Sequence, residues 1–366
     1  MDKPKNSMPS RYSTVGSLMH ILWVNNYNNK TIAYIYAVTY APNQMFLPLC
    51  ITIRVLAGSA TASLTVSVMT ILLKHTSFQT STVVGLAEMI QGGGYAAGPA
   101  LGAVLQQIGG YSCMFWTLGG LIGVSCLLQI FIVSANVSEK KQSNSSAAMM
   151  KIPGVLVLTF HCFILSVLAS SKSAELSNFL SSSFGTEPGK IGLLFGLGAT
   201  LYLIGCPPMA KLVNKGFIYT PMVIGWLLCV FIDLLMGPSP LLNFIFQGKQ
   251  YFDLTVVMRS LSVLSQVAIN IPPFQAAINL AVVSGHEKDS IHTYGMVAGL
   301  LNGGVGLGAM VGPIMSGAVT DATDFTWTLT VLSFLDMLIL SVLVVYLIWM
   351  KITKQPLKPE TVKQDT

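Results

Sequence analysis

Several ionisable and amide side chains occur at helical spacing inside long apolar stretches of this sequence. Arg54 lies in one stretch, and Glu88, Gln91 and Tyr95 share one face of the next, at positions i, i+3 and i+7. An ionisable group in an apolar medium costs roughly 2.5–3.5 kcal/mol, so each one needs a partner or a function. We expect an Arg54–Glu88 pair. It is either a static ion pair or a proton-coupling device in which Glu88 takes up a proton and releases Arg54.

A second polar stripe precedes a double proline. Arg259, Ser262, Gln266 and Asn270 lie within a narrow arc of one predicted helix, and Pro272 and its neighbour then break that helix. Because proline has no N–H, the break frees backbone carbonyls that a cation or a hydroxyl group can bind. The stripe predicts either a cavity lining or hydrogen bonds between helices. An arginine and two amides beside a broken helix favour the cavity.

The elements that carry these side chains need lipid around them. Of the 366 residues, 52% are hydrophobic and 9% are charged, and the mean hydropathy is +0.66. Soluble proteins have about 25% charged residues, so this chain cannot cover itself with a charged surface. The six cysteines show no metal-ligand spacing, and the sequence has no hydrolase, metalloprotease or phosphate-binding motif. The composition excludes a soluble enzyme and a nucleic-acid reader, and no metal or organic cofactor is implied.

Nine apolar stretches are long enough to cross a bilayer, which takes about 20 residues in a helix. The sequence therefore predicts an all-α integral membrane bundle with about nine transmembrane helices. The predicted spans are residues 45–73, 82–105, 113–134, 153–172, 190–210, 219–237, 252–283, 292–319 and 326–350.

Hydrophilic segments divide these spans. The predicted divisions are an atypical N-terminal segment (1–44), a partial N-terminal bundle (45–134), a cytoplasmic linker (135–152), a six-helix bundle (153–350) and a cytoplasmic tail (351–366). Alternate connectors carry eleven lysines, whereas the opposite set carries three, namely Lys172, Lys190 and Lys249. The positive-inside rule then predicts that the lysine-rich connectors and the C-terminus are cytoplasmic.

A motif of small residues and proline occurs twice. The first copy contains Gly94, Gly98, Pro99 and Gly102, and the second contains Gly308, Gly312 and Pro313. Small residues four apart let another helix approach closely, and proline bends the helix that contains it. Tight packing alone explains a glycine ladder. The repetition at matched positions of two halves predicts, in addition, a duplicated six-helix plan that is incomplete in this chain.

These motifs resemble those of the major facilitator superfamily. Arg54-Val-Leu-Ala-Gly58 is similar to its fourth-helix motif, and the repeated GxxxGP is similar to the fifth-helix motif of its antiporters. Ala210–Gly216 resembles its loop motif, with Asn214 where aspartate is usual. Val84–Pro99 looks like the fifth helix of the vesicular amine transporter family (solute carrier family 18). The nearest resemblance is to the polyamine-transporting branch of that family.

The resemblance implies a proton-coupled antiporter that carries organic cations, polyamines first, into intracellular vesicles by alternating access. Its partners would be the cation, protons and the lipid bilayer, with no nucleic acid. The two bundles would rock about the small-residue seams at 94–102 and 304–316. Relative to the family the chain is N-terminally truncated, since it begins effectively at the fourth helix. The acidic residue of the family's first helix has no counterpart here.

A cationic substrate needs carboxylates or aromatic faces. Besides Glu88, the candidates are Asp233, Glu175 and Asp336, each inside or beside an apolar span. For Asp233 and Asp336 the alternative is snorkelling or a neighbouring partner. Glu175 lies near the position where the resembled family tends to have an acid, although Ser173 is the aligned residue. Two alternatives stay open for the whole chain. One is another facilitator, such as a drug or sugar carrier, and the other is a truncated membrane protein that transports nothing.

Overall fold

The computed structural model describes residues 58–59, 62–73, 79–132, 149–288 and 290–353. Every regular element in these ranges is helical, as the sequence predicted. The chain divides into two compact units, of which one comprises 1–71 and 102–143 and the other 72–101 and 144–366. All contacts discussed below belong to the second unit.

Ten helices are described, in addition to a short 3-10 turn at Pro240–Leu242. They are α1 (Ala62–Leu73), α2 (Thr80–Ile132), α3 (Pro153–Phe184), α4 (Pro188–Asn214), α5 (Tyr219–Met236), α6 (Asn243–Phe246), α7 (Phe252–Asn270), α8 (Pro272–Val283), α9 (Ile291–Ala322) and α10 (Phe325–Ile352).

The last six predicted spans are confirmed by six segments that are long and apolar enough to cross a membrane. They correspond to α3, α4, α5, the α7–α8 pair, α9 and α10. The second and third predicted spans fall on α2, which has non-helical backbone at Gly109 and Gly110, between the two predictions. Most of the first predicted span, together with residues 1–44 and the tail beyond residue 353, lies outside the described residues.

Proline and glycine set several of the helix ends. Pro153 and Pro188 occupy the first turns of α3 and α4. Backbone N–H groups in the first turn have no partner within the helix, so proline costs no hydrogen bond there. Gly185 ends α3 in the left-handed conformation (φ 60°), which glycine adopts without steric penalty. Asp324 caps α10, because its carboxylate accepts a hydrogen bond from the backbone N–H of Trp327 at 3.0 Å.

The predicted end of the fourth span at Lys172 is wrong. Helix α3 continues to Phe184, and the side chain of Lys172 is only 2% exposed. Lys172 therefore belongs inside a span and not to a connector. A helix can continue through a buried lysine when another helix supplies a counter-ion for the ammonium group. Asp233 of α5 supplies that counter-ion here. Without Lys172 the opposite set of connectors holds two lysines, so the predicted charge bias becomes stronger.

The second copy of the glycine motif holds α9 against α3. A Cβ atom added at Gly304 would lie 2.7 Å from the carbonyl oxygen of Thr159, and Gly308 and Gly312 meet α3 at least as closely. The Ser171 hydroxyl also donates to the carbonyl of Gly312 at 2.9 Å. The sequence associated this seam with motion between two bundles, whereas its partner is a neighbouring helix of the same compact unit.

Candidate functional site

A half-buried carboxylate joins three helices of this unit. The Oε2 atom of Glu88, on α2, accepts hydrogen bonds from the Tyr202 hydroxyl of α4 at 2.8 Å and from Asn270 Nδ2 at the end of α7 at 2.7 Å. Asn270 Nδ2 also lies 2.9 Å from the Tyr202 hydroxyl oxygen, which accepts from it. We call Glu88, Tyr202 and Asn270 the Glu88 cluster.

Two glycines of α2 let α4 approach Glu88. A Cβ atom at Gly85 would lie 2.9 Å from the Cβ atom of Ala210, and one at Gly92 would lie 2.6 Å from the ring of Tyr202. Gly85, Glu88 and Gly92 are spaced by three and four residues, so they share one face of the helix. The glycines bring the tyrosine close enough to hydrogen-bond the carboxylate between them.

The double proline contributes in a different way from the one expected. Pro273 has no N–H for the carbonyl of Ile269 four residues earlier, so that carbonyl is free for another donor. It lies 3.1 Å from Nε2 of His161, whose Nδ1 accepts a hydrogen bond from the indole of Trp226 at 3.1 Å. The freed carbonyl is therefore occupied by a neutral histidine that packs between helices.

The Glu88 carboxylate is a group that can bind a proton or another cation. A carboxylate is an acceptor only, and both of its donors among the described residues are neutral. A proton can therefore bind to Glu88 without displacing a positively charged side chain in that part of the chain. The predicted partner, Arg54, lies outside the described residues. The predicted face-mates of Glu88 add nothing here, because Gln91 is exposed and the side chain of Tyr95 lies outside the described set.

A second polar group lies in the interior of the unit. The ammonium of Lys172 donates to both carboxylate oxygens of Asp233 at 3.0 Å and to the Ser262 hydroxyl at 3.3 Å. Arg259 of α7 and Asp336 of α10 complete this group, which we call the Lys172 cluster. The guanidinium of Arg259 lies 5.7 Å from the ring centroid of Phe195, in cation–π contact. The pair of Lys172 and Asp233 is the one salt bridge among the described residues. All five side chains of the Lys172 cluster are buried.

The remaining sequence candidates join neither cluster. Gln266 is half-buried on α7, one turn before Asn270, and Glu175 is half-buried on α3 near Gly317. In the first glycine motif, an added Cβ at Gly94 or Gly98 would meet no described atom within 4 Å. Pro99 and Gly102 lie on α2, and their side-chain environments are outside the described set. Pro313 is exposed on α9.

Sequence reasoning missed Tyr202 and Lys172. A lone tyrosine in an apolar helix has no spacing signal that separates it from a packing residue. Lys172 carried a usable signal, because it sits within an apolar and serine-rich stretch of more than 30 residues and lacks a glycine or proline beside it. No group of three or more His, Cys, Asp or Glu with metal-site geometry occurs among the described residues.

The helical architecture and the duplicated motifs have a counterpart among known proteins. A family model described as Major Facilitator Superfamily matches residues 31–232 and 158–365. The chain belongs to the Major Facilitator Superfamily.

The relatives of this superfamily member are transporters. MFS-type transporter SLC18B1 of Mus musculus is 30% identical over 292 residues, which cover 77% of this chain and 61% of the relative. The Homo sapiens protein of the same name is 29% identical, with the same coverage. The synaptic vesicular amine transporter of Homo sapiens is 21% identical over 67% of this chain and 45% of the relative. The resemblance to the vesicular amine transporter family is thereby confirmed, and the chain spans about three fifths of the length of its SLC18B1 relatives.

Solved structures support the fold. The human organic anion transporter MFSD10 (TETRAN) superimposes with a TM-score of 0.64 at 18% identity, over 90% of this chain and 77% of that one. A bacterial homologue of the iron transporter ferroportin in an outward-facing state gives 0.63 at 14% identity, over 92% and 83%. This chain of the superfamily is therefore a multi-pass membrane protein, and the relatives that it matches are carriers and not enzymes.

Proposed function

We propose that this protein exchanges protons for organic cations by alternating access, with Glu88 as the group that binds both. The observation that carries the proposal is the pair of neutral donors, Tyr202 and Asn270, on the Glu88 carboxylate. A carboxylate whose partners among the described residues are all neutral keeps its negative charge available to a mobile cation. An acid locked to an arginine or lysine would lack that capacity.

Competition at one carboxylate is a simple basis for antiport. A proton on Glu88 removes the negative charge that attracts an ammonium group, and a bound ammonium disfavours the proton by like-charge repulsion. The two cations therefore occupy Glu88 in turn. The Tyr202 hydroxyl oxygen and the Asn270 side-chain oxygen are further acceptors for an ammonium N–H. Three helices converge on these atoms, so a change of the cation bound at Glu88 changes the contacts of α2, α4 and α7 together.

Amines are the substrate class to test, and polyamines come first. The synaptic vesicular amine transporter is one of the relatives, and the Val84–Pro99 segment resembles the polyamine-transporting branch of its family. The same relative supports a vesicle membrane as the location, and the lysine distribution supports a cytoplasmic C-terminus. In this orientation protons leave the vesicle as the cation enters.

Uptake of labelled spermidine into proteoliposomes that contain the 366-residue chain tests the proposal. We expect uptake that depends on an imposed proton gradient and collapses in Glu88→Gln, which keeps the size of the side chain but cannot carry a charge. Glu187→Gln is the matched control, because Glu187 is exposed just before α4 and belongs to neither cluster. It should transport like the parent.

Two results would contradict the proposal. Gradient-driven uptake that survives Glu88→Gln would remove Glu88 from coupling and favour another facilitator, such as a drug or sugar carrier. Absence of uptake across spermidine, monoamines and other cations, in vesicles where the protein is folded and inserted, would reject cation transport by this chain.

A further inference from the structure

While both acids are ionised, two buried polar groups in the Lys172 cluster lack a matching hydrogen-bond partner among the described residues. They are the Nε atom of Arg259 and the carboxyl group of Asp336, whose hydrogen-bonding neighbour is a second carboxyl group, that of Asp233. Asp336 is 0% exposed and Arg259 is 9% exposed. Buried polar atoms almost always have partners, so one unsatisfied donor and one unsatisfied acid in a single cluster call for an explanation.

Packing brings Asp336 next to the buried ion pair. Helix α10 lies against α5, where the Ser333 hydroxyl donates to the Val230 carbonyl at 2.9 Å. One turn further along α10, Asp336 lies near enough to Asp233 for a side-chain hydrogen bond, and it interacts electrostatically with Lys172 of α3 and Cys229 of α5. From α7, Arg259 reaches the cluster through Asp233. These are the charged and titratable groups that surround Asp336 in the described residues.

The charges of the cluster balance in two different ways. Lys172 already gives its ammonium to Asp233, so an ionised Asp336 would lie beside Asp233 in a dry interior without a counter-ion of its own as long as the partners do not change. A protonated Asp336 avoids this repulsion and leaves Arg259 without a carboxylate. If Asp336 is ionised instead, two cations and two carboxylates are present, and each can have a partner.

We propose that Asp336 is a second proton-binding site and that release of its proton exchanges the partners of the buried ion pair. In the arrangement described here, Asp336 holds the proton, Lys172 pairs with Asp233, and Arg259 rests over Phe195. After the proton leaves to water, Lys172 pairs with Asp336 and Arg259 pairs with Asp233. One proton is transferred and no covalent bond of the protein changes. The proton lets Asp336 donate a hydrogen bond to Asp233, and the exchange gives Arg259 the carboxylate partner that it lacks in the arrangement described here.

The exchange would link protonation to helix packing. The four side chains lie on α3, α5, α7 and α10, so a change of partners shifts the contacts among four spanning helices of one unit. The site is separate from Glu88 in its residues and does not depend on which substrate is carried. It therefore goes beyond the proposed function and can be tested without a transport assay.

Infrared spectroscopy of the purified full chain in lipid tests for the proton directly. A buried protonated carboxyl group has a carbonyl stretch separate from that of a carboxylate. In the parent protein we expect this band to decrease as pH is raised. In Asp336→Asn we expect no band at that frequency. The control is Glu88→Gln, which should retain the Asp336 band. No such band in the parent, or the same band in Asp336→Asn, would overturn the proposal.

Thermal unfolding supplies a second test, which does not depend on the single variant Asp336→Asn. If Asp336 is a reserve partner for Lys172, Asp233→Asn should lose less than half of the stability that Lys172→Met loses. The double variant Asp233→Asn with Asp336→Asn should then lose more than the sum of the two single variants. Strictly additive losses, or a loss in Asp233→Asn equal to that in Lys172→Met, would overturn the exchange. Neither result depends on spermidine uptake, so the two proposals can fail separately.

Discussion

The Glu88 cluster and the Lys172 cluster handle a buried acid in opposite ways. Glu88 is half-buried and hydrogen-bonded by a tyrosine and an asparagine, which are neutral. Asp233 is fully buried and paired with Lys172 through two bonds of 3.0 Å. The first arrangement leaves a charge that a mobile cation can neutralise, and the second neutralises its charge internally. Loss of a charge should therefore affect transport at Glu88 and stability at Lys172.

Removal of the lysine charge should have the largest effect on stability. Lys172→Met leaves Asp233 buried without its counter-ion, and breaking a buried pair from one side costs about 3–5 kcal/mol. Chemical unfolding in detergent should show a loss of this size. The double variant Lys172→Met with Asp233→Leu removes both charges and should recover much of it. A loss below about 1 kcal/mol for Lys172→Met would mean that the pair is solvated and would erase the contrast between the clusters.

The next largest loss of stability should come from overpacking the contact between α9 and α3, the helix that carries Lys172. Gly308→Ala places a Cβ atom against the backbone carbonyl of Phe163 on α3, which cannot rotate away. Overpacking of this kind costs typically about 1–3 kcal/mol. Gly98→Ala is the matched control from the first motif, because it meets no described atom within 4 Å. Equal unfolding free energies for the two variants would contradict the tight α3–α9 contact.

Loss of the tyrosine hydroxyl should have a smaller effect on stability. Tyr202→Phe removes one donor from Glu88 and one acceptor from Asn270, and a hydrogen bond contributes about 0.5–1.5 kcal/mol net. Spermidine uptake should fall further than stability does, because the carboxylate loses a group that orients it. The comparison is made with Tyr251→Phe, an exposed tyrosine before α7. Parent-like uptake in Tyr202→Phe would show that the hydroxyl does not orient Glu88.

The smallest stability effect should come from the acid itself. Glu88→Gln keeps an oxygen acceptor for Tyr202 and Asn270, and no described cation loses its partner, so the unfolding free energy should change by less than about 1 kcal/mol. Uptake should nevertheless be abolished. A large destabilisation in Glu88→Gln would mean that an opposite charge is paired with Glu88, as the sequence expectation of an Arg54–Glu88 pair requires.

Much of the fold could be predicted because it depends on local properties. The apolar length of a span, and the effect of Pro188 or Gly185 at a helix boundary, are readable within a short window. The boundaries of α4, α5, the α7–α8 pair, α9 and α10 lie within a few residues of the predictions. Lys172 shows where this reasoning fails. A window that contains a charge indicates the end of a span, unless the counter-ion is known to arrive from another helix.

The candidate site was predictable in part. Polar residues at helical spacing marked Glu88, Asn270 and Arg259 as residues of interest, and isolated acids in apolar spans marked Asp233 and Asp336. Periodicity cannot tell which of these residues meet one another. Their roles in coupling and substrate binding stay predictions.

The sequence by itself determined that this protein is a helical membrane protein with a duplicated motif and a resemblance to a superfamily of transporters, because hydropathy, span length and motif spacing can be read along the chain. Only the tertiary structure decided that Glu88 has neutral partners and that Lys172 pairs with Asp233. Those contacts join residues that are more than 60 positions apart in the chain. The physical reason is that a buried charge is stabilised by whichever helix brings a partner to it, and helix packing over the whole unit selects that partner.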